Sequence, residues 1–388
     1  MSSPRALIIG GTGPTGPHLV QGMLDRGYDV TVFHTGRHEI DEAPDVPHLH
    51  GDPFSEEGIA ETLGDRTFDV AVATYGRVRA LAHHLVGRCD HFLAVGGVPV
   101  YEGYVHPSDL HPTGMALPVR EGRHPLVPAE SDNRGGYRTA PIRRAEDEVF
   151  RLASEGGFRA TYLRYPTIYG PRNPHPWEWS VVQRVRDGRP WMLVPDDGRS
   201  VHSRAGARNA AQAILVAVDR PEVAGGKAYN VADDDLLSIR QWAEVVAEHA
   251  GGGLEIRSFP GNIASPGWAL IAFRYQLTPH CILDTTRIRD ELGYEDALPA
   301  REGLAETVEW MLDNEAYLRD HPHLTDPFDY VAEDRLVAAY ERCQEQLREL
   351  ARPFESTVAP MPTPQTAKGA SGGQDNVPPQ NRPAEPTP

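Results

Sequence analysis

Positive charge is scarce in this chain. Lysine occurs only at Lys227 and Lys368, and 38 Lys and Arg against 55 Asp and Glu leave a formal net charge of −17 over 388 residues. Nucleic acids and anionic membrane surfaces are bound by basic faces that neutralise phosphates, so the balance argues against both as general partners. Cysteine is equally sparse. Cys89, Cys281 and Cys343 are odd in number and far apart, which suits neither a disulfide framework nor a zinc motif, and no metal site is expected. No apolar run is long enough to span a membrane, and Met1–Arg5 leads directly into a strand without a leader-like stretch. A soluble, unprocessed cytoplasmic protein is therefore expected. Internal repeats are also lacking, and the length suits one large or two medium domains.

What is present begins near the N-terminus, in Ala6-Leu7-Ile8-Ile9-Gly10-Gly11-Thr12-Gly13-Pro14-Thr15-Gly16. An unbroken apolar run stopped by glycine is how a strand buried on both faces reads. A helix follows: Leu19, Val20, Met23 and Leu24 fall at helical spacing, Pro17 suits the first turn, and Gly27 stands where a C-terminal cap belongs. In such a strand–turn–helix, glycines permit the bend, admit a pyrophosphate to backbone N–H groups and let helix and strand pack closely. The helix N-terminus adds partial positive charge at the same place. Gly10, Gly11, Thr12, Gly13 and Gly16 are thus candidate dinucleotide-binding residues.

Tyr28–Phe33 alternates into a second strand ending at His34-Thr35-Gly36-Arg37. An acidic residue at this strand end would bond an adenosine 2′-OH, whereas arginine pairs with a 2′-phosphate. No acid stands there, so NADP is favoured over NAD with Arg37 as the phosphate partner, the alternative being a solvated loop arginine. Phe68–Ala73 is a further buried strand, and Val78–Val86 a helix. Alternating strands and helices joined by short connections predict an α/β fold, a Rossmann-type doubly wound parallel sheet.

The spacing Gly10-x-x-Gly13-x-x-Gly16 behind an N-terminal strand resembles the extended short-chain dehydrogenase/reductases, the NAD-dependent epimerase/dehydratase family. The resemblance implies that Asp52 of Gly51-Asp52 lies beside the adenine and that Tyr75 lines the cofactor. It also places Tyr169, in Pro166-Thr167-Ile168-Tyr169-Gly170-Pro171, in the turn covering the nicotinamide end. Domains follow the same likeness: 1–172 as dinucleotide-binding, 173–352 as a smaller substrate domain whose strand near 228–232 rejoins the first, and 353–388 as a Pro- and Gly-rich disordered tail.

Where the family carries a serine after its fifth strand, this chain has Gly96 and Gly97. Where a tyrosine precedes a lysine by four residues, one turn apart on a helix, Tyr137 is followed by Pro141. Aligning instead on Glu146 puts Arg138 at the tyrosine and Ile142 at the lysine. Tyr137 is the candidate catalytic residue, either an acid tuned by Arg138, Arg143 or Arg144 or an ordinary loop tyrosine. His106, His111, His124 and Tyr101 are further proton-transfer candidates, and residues 102–136 read as a long loop over a site. The expected function is that of an NAD(P)-dependent oxidoreductase or epimerase/dehydratase on a nucleotide sugar or other small metabolite, in a homodimer as in many relatives. The alternatives are a cofactor-binding sensor or scaffold without turnover, and a non-redox lyase or isomerase on the same fold.

Overall fold

Four consecutive residues without solvent exposure, Ala6 to Ile9, mark the centre of the molecule. They belong to β1 (Arg5–Ile9), which leads through the glycine turn into α1 (Gly16–Asp25) and on to β2 (Asp29–His34) and β3 (His48–His50). The computed structural model describes residues 3–37, 45–130, 139–270, 280–324 and 326–352. After β3 come α2 (Glu56–Leu63), β4 (Phe68–Ala73), α3 (Val78–Leu85), β5 (Cys89–Gly97), α4 (Thr139–Ser154) and β6 (Arg159–Tyr165). Then follow β7 (Thr167–Tyr169), α5 (Trp179–Arg186), β8 (Trp191–Pro195), β9 (Arg204–Gly206), α6 (Ala207–Asp219), α7 (Pro221–Ala224), β10 (Lys227–Asn230), α8 (Ile239–His249) and β11 (Glu255–Phe259). Helices close the chain: α9 (Thr286–Leu292), α10 (Ala300–Asp313), α11 (Glu315–Arg319) and α12 (Tyr330–Ala351).

Seven strands form one sheet in the order β10-β6-β5-β4-β1-β2-β3, with every pairing parallel. Its apolar runs explain this. A parallel sheet is covered on both faces, so its central strands are largely apolar. One face packs Ala6, Ile8, Val30 and Val32 against α1 and α6; the other packs Leu7, Ile9, Phe33 and Phe92 against α2, α3 and α4. The chain winds outward from β1 to β3, returns to place β4 on the other side of β1, and winds outward again. The doubly wound expectation is met, and the reversal lies between β1 and β4, at whose carboxyl ends such folds bind ligands.

The remaining elements build a second core, in which Trp179, Val182, Met192, Val246, Leu304 and Met311 meet around the β8–β11 pair, α5, α8 and α10. Ser238 caps α8 as its sequence suggests: its hydroxyl accepts from the Gln241 N–H while the Gln241 side chain accepts from the Ser238 N–H. Two compact units are distinguished, Met1–Tyr330 and Val331–Pro388; most of α12 lies in the second, and residues 353–388, including the expected tail, are outside the described residues. No described helix is long and apolar enough to cross a membrane.

Candidate functional site

The glycines of the first turn do different work. Gly10 has φ +100°, and a Cβ there would lie 2.5 Å from Tyr75 Cβ; its N–H donates to Phe33 O, while Thr74 N–H donates to Ile9 O, tying the ends of β1, β2 and β4 together. Gly11 lies against Val32, whose methyl a Cβ would meet at 3.0 Å. Gly16 lets α1 settle on the turn, since a Cβ would sit 1.9 Å from Gly11 O. Gly13 is unlike the others. A Cβ there would meet only Gly10 O, at 3.9 Å, so nothing within the protein requires glycine at this position. It stands before α1, a ten-residue helix whose N-cap, Thr15, provides no side-chain cap. A bare backbone beside an uncapped helix terminus is what an approaching phosphate needs.

The expected adenosine end adjoins the turn. Tyr75 is about half exposed and meets the equally exposed Phe54 edge-on, with ring centroids 4.7 Å apart, giving an apolar platform next to Gly10. Asp52 accepts the Phe54 N–H at 2.9 Å and shapes that corner. β2 ends on His34, which is buried, and Arg37 is exposed beyond it. Gly10, Gly11, Thr12, Gly13, Gly16 and Tyr75 thus gather along the carboxyl ends of β1 and β4, with Arg37 past the neighbouring β2 and Asp52 past β3. Phe54 could not be singled out from the sequence because only its exposure in the fold marks it.

At the other end, Gly96 faces the ring of Tyr162 from β6: a Cβ there would lie 2.3 Å from the ring and 2.7 Å from its hydroxyl. A serine at Gly96 is therefore excluded by packing, and Gly97 has Pro99 Cδ 3.0 Å from where its Cβ would stand. Tyr137 and Arg138 lie outside the described residues. Ile142 packs with Val98, Val100, Tyr101 and Leu283, so an apolar side chain occupies the helix position where the Glu146 alignment requires an ammonium.

Glu146, buried on α4, accepts a bidentate pair from Arg164 of β6, one arm of it at 3.0 Å. Arg164 also donates to the Tyr101 hydroxyl at 2.8 Å, and Tyr101 donates to Asn230 Oδ1 at 2.7 Å. Burial pushes the Tyr101 phenol up to about 12 in spite of Arg164, so it stays protonated within a structural network. His124 is held as well: Nδ1 accepts from Arg120 N–H and Nε2 lies 2.6 Å from Ala116 O. The long loop is ordered over its described part. The Asn230 side chain donates to Val119 O, its backbone N–H reaches Glu121, and Arg120 pairs with Asp284 at 2.5 Å.

Residues 140–232, the segment holding much of this network, match the profile of the NAD dependent epimerase/dehydratase family. Over that segment the chain is similar to that family. Its fold is shared with UDP-glucose 4-epimerase of Thermus thermophilus, solved in complex with NAD, at a TM-score of 0.60 and 20% identity over 79% of this chain and 99% of that one. UDP-N-acetyl-alpha-D-glucosaminuronate decarboxylase of Bacillus cytotoxicus is 22% identical over 79% of this chain and 97% of that protein. Chloroplast stem-loop binding protein of 41 kDa b from Arabidopsis thaliana is 23% identical over 87% and 86%.

The family's Tyr-Gly-Pro turn is present, but the Tyr169 side chain is not beside the glycine turn. It is buried, edge-on to Trp242 at 4.8 Å, and its hydroxyl donates to Asp233 at 2.8 Å. Its ring is therefore not free to face a ligand. Asp233 also accepts from Gly206 N–H and Asn209 Nδ2, yet burial outweighs these donors and pushes its carboxyl up to about 6. The folded chain therefore holds this proton to higher pH than the unfolded chain, whose aspartates titrate near 4. Stability supplied by protonated Asp233 is lost as pH rises from about 4 to about 6. Thermal melts of Asp233→Asn against the unaltered protein over that window should show a smaller fall for the variant; parallel curves would refute the assignment.

Proposed function

We propose that the chain is an NADP-dependent oxidoreductase or epimerase/dehydratase acting on a nucleotide sugar or another small metabolite. The observation that carries this is Gly13, bare backbone that the protein's own packing does not require, set before the uncapped start of α1 at the sheet's reversal point. Gly10, Gly11, Thr12, Gly13 and Gly16 would hold the pyrophosphate, Tyr75 and Asp52 the adenine, and Arg37 the 2′-phosphate. When bound, the nicotinamide supplies hydride exchange with a substrate carbon. Residues 1–172 form the cofactor side in this reading and 173–352 the substrate side, with Tyr137 as proton donor. The decarboxylase and the 4-epimerase, both named for UDP-sugars, support the substrate class. Cysteines free of disulfides, two of them buried, support a cytoplasmic setting, and a homodimer accords with the resemblance.

The cofactor preference in this reading rests on Arg37. Replacing a charge-assisted phosphate contact by alanine costs about 1.5–3 kcal/mol, so Arg37→Ala should weaken NADPH by roughly tenfold or more while sparing NADH. Calorimetric titration with both dinucleotides tests this, and equal losses would refute NADP as the preferred form.

Ile142 and the Gly96–Tyr162 contact favour a second reading, a protein that binds the cofactor without turning it over. Isotope exchange at the nicotinamide in the presence of a nucleotide-sugar panel separates the two. Exchange that Tyr137→Phe abolishes supports the enzyme, and saturable NADPH binding without exchange supports the second reading. The stem-loop-binding relative suggests a nucleic-acid partner, which the net charge of −17 opposes.

A further inference from the structure

We propose that His34, His48 and His50 form a binding site for a late first-row divalent metal ion, zinc above all, on the β2–β3 edge of the sheet. The pairing makes the site. His34 and His50 stand opposite one another across the two strands, and His48 is two residues from His50, on the same face. The intervening Phe33 and Leu49 pack into the core on the other face, which leaves all three imidazoles together. Their nearest donor nitrogens all lie within 4.8 Å of one another, and His34 Nε2 is 3.0 Å from His48 Nδ1. The rings stand edge-on, at 85°, 90° and 84° to one another, so their nitrogens converge rather than stack.

Zinc–imidazole bonds of about 2.0–2.1 Å in tetrahedral geometry require donor nitrogens about 3.3 Å apart. One pair is near that spacing, and rotation of the partly exposed His48 and exposed His50 rings brings the third donor in. Three imidazole nitrogens suit zinc, nickel or copper and not calcium or magnesium. Three protein ligands leave a coordination position for water.

Loading the site also moves a proton. Gly36 N–H donates to His34 Nδ1 at 3.2 Å, so the His34 proton is on Nε2 and directed at His48 Nδ1. Coordination through His34 Nε2 and His48 Nδ1 replaces that hydrogen bond. The His34 proton transfers to Nδ1, the ring remains neutral, and the Gly36 amide is released. Gly36, at φ +72°, directly precedes Arg37, so loading the metal acts on the backbone beside that residue.

The test uses the full chain, free of affinity tag and dinucleotide, stripped with chelator and carrying Cys343→Ser to remove its exposed thiol. Titration with Co²⁺, followed by ligand-field absorption, and competition by Zn²⁺ should give one ion per chain with a tetrahedral spectrum. His48→Ala and His50→Ala should each weaken binding at least about tenfold, and the double variant should abolish it. His83→Ala serves as the control and should bind as tightly as the parent. Thermal melting of the metal-free variants checks that they remain folded. Binding no tighter in the parent than in the folded double variant would overturn the proposal. Because no cofactor is present, that result leaves the dinucleotide reading untouched.

Discussion

Gly13→Ala is expected to lower NADPH affinity by about 100-fold, equivalent to about 2.7 kcal/mol, with the thermal midpoint almost unchanged. The added methyl would find Gly10 O at 3.9 Å and no other protein atom in range, so the fold accepts it. Gly13 does not have positive φ either, and alanine is not strained there. The methyl instead occupies the side from which a pyrophosphate reaches the backbone, and losing two charge-assisted hydrogen bonds accounts for the magnitude. Gly16→Ala provides the contrast. Its Cβ would lie 1.9 Å from Gly11 O and 2.3 Å from Gly11 C, both backbone atoms that cannot turn aside, so α1 must lift from the turn at a cost of about 3–5 kcal/mol. Calorimetry and thermal melting on both variants separate the roles. Equal loss of binding and unchanged stability in the two would show that Gly13 has no special part.

Glu146→Ala is expected to cost about 3–5 kcal/mol in urea unfolding. The variant leaves the Arg164 guanidinium, 4% exposed, without its carboxylate in an interior where an uncompensated charge is strongly disfavoured. The disturbance does not end there. Arg164 holds the Tyr101 hydroxyl, Tyr101 holds Asn230, and Asn230 holds Val119 in the long loop, so the loop above the sheet loses its anchorage. Pairing the change with Arg164→Met should recover part of the loss, because the orphaned charge goes with it. A double variant as unstable as the sum of the single ones would mean that the two residues act independently.

The sheet was legible because its strands are short apolar runs, and a parallel sheet buried on both faces keeps its central strands largely apolar. Gly10, Gly11, Gly13 and Gly16 were legible because their spacing lies within one short strand–turn–helix stretch of the chain. The register of α4 was not. Two alignments, on Tyr137 and on Glu146, stood open, and the pairing of Glu146 with Arg164, 18 residues apart in the chain, could be foreseen from neither. The same holds for Gly96, whose neighbour Tyr162 comes from another strand, and for Tyr169, whose ring turns to Asp233. The histidines were invisible because their meeting depends on the β2–β3 register, which no spacing along the chain reveals.

The return of β10 to the first sheet has a consequence for biosynthesis. β6 is complete at Tyr165, but the strand that covers its outer edge begins at Lys227, so about sixty residues must be made before β10 can pair. At roughly 5–20 residues per second, the ribosome leaves that edge open for several seconds, a row of unsatisfied amides and carbonyls able to recruit any extended segment nearby. Codon usage and chaperone supply over 166–227 should therefore govern the yield of soluble protein more strongly than over any stretch of similar length in the first 165 residues.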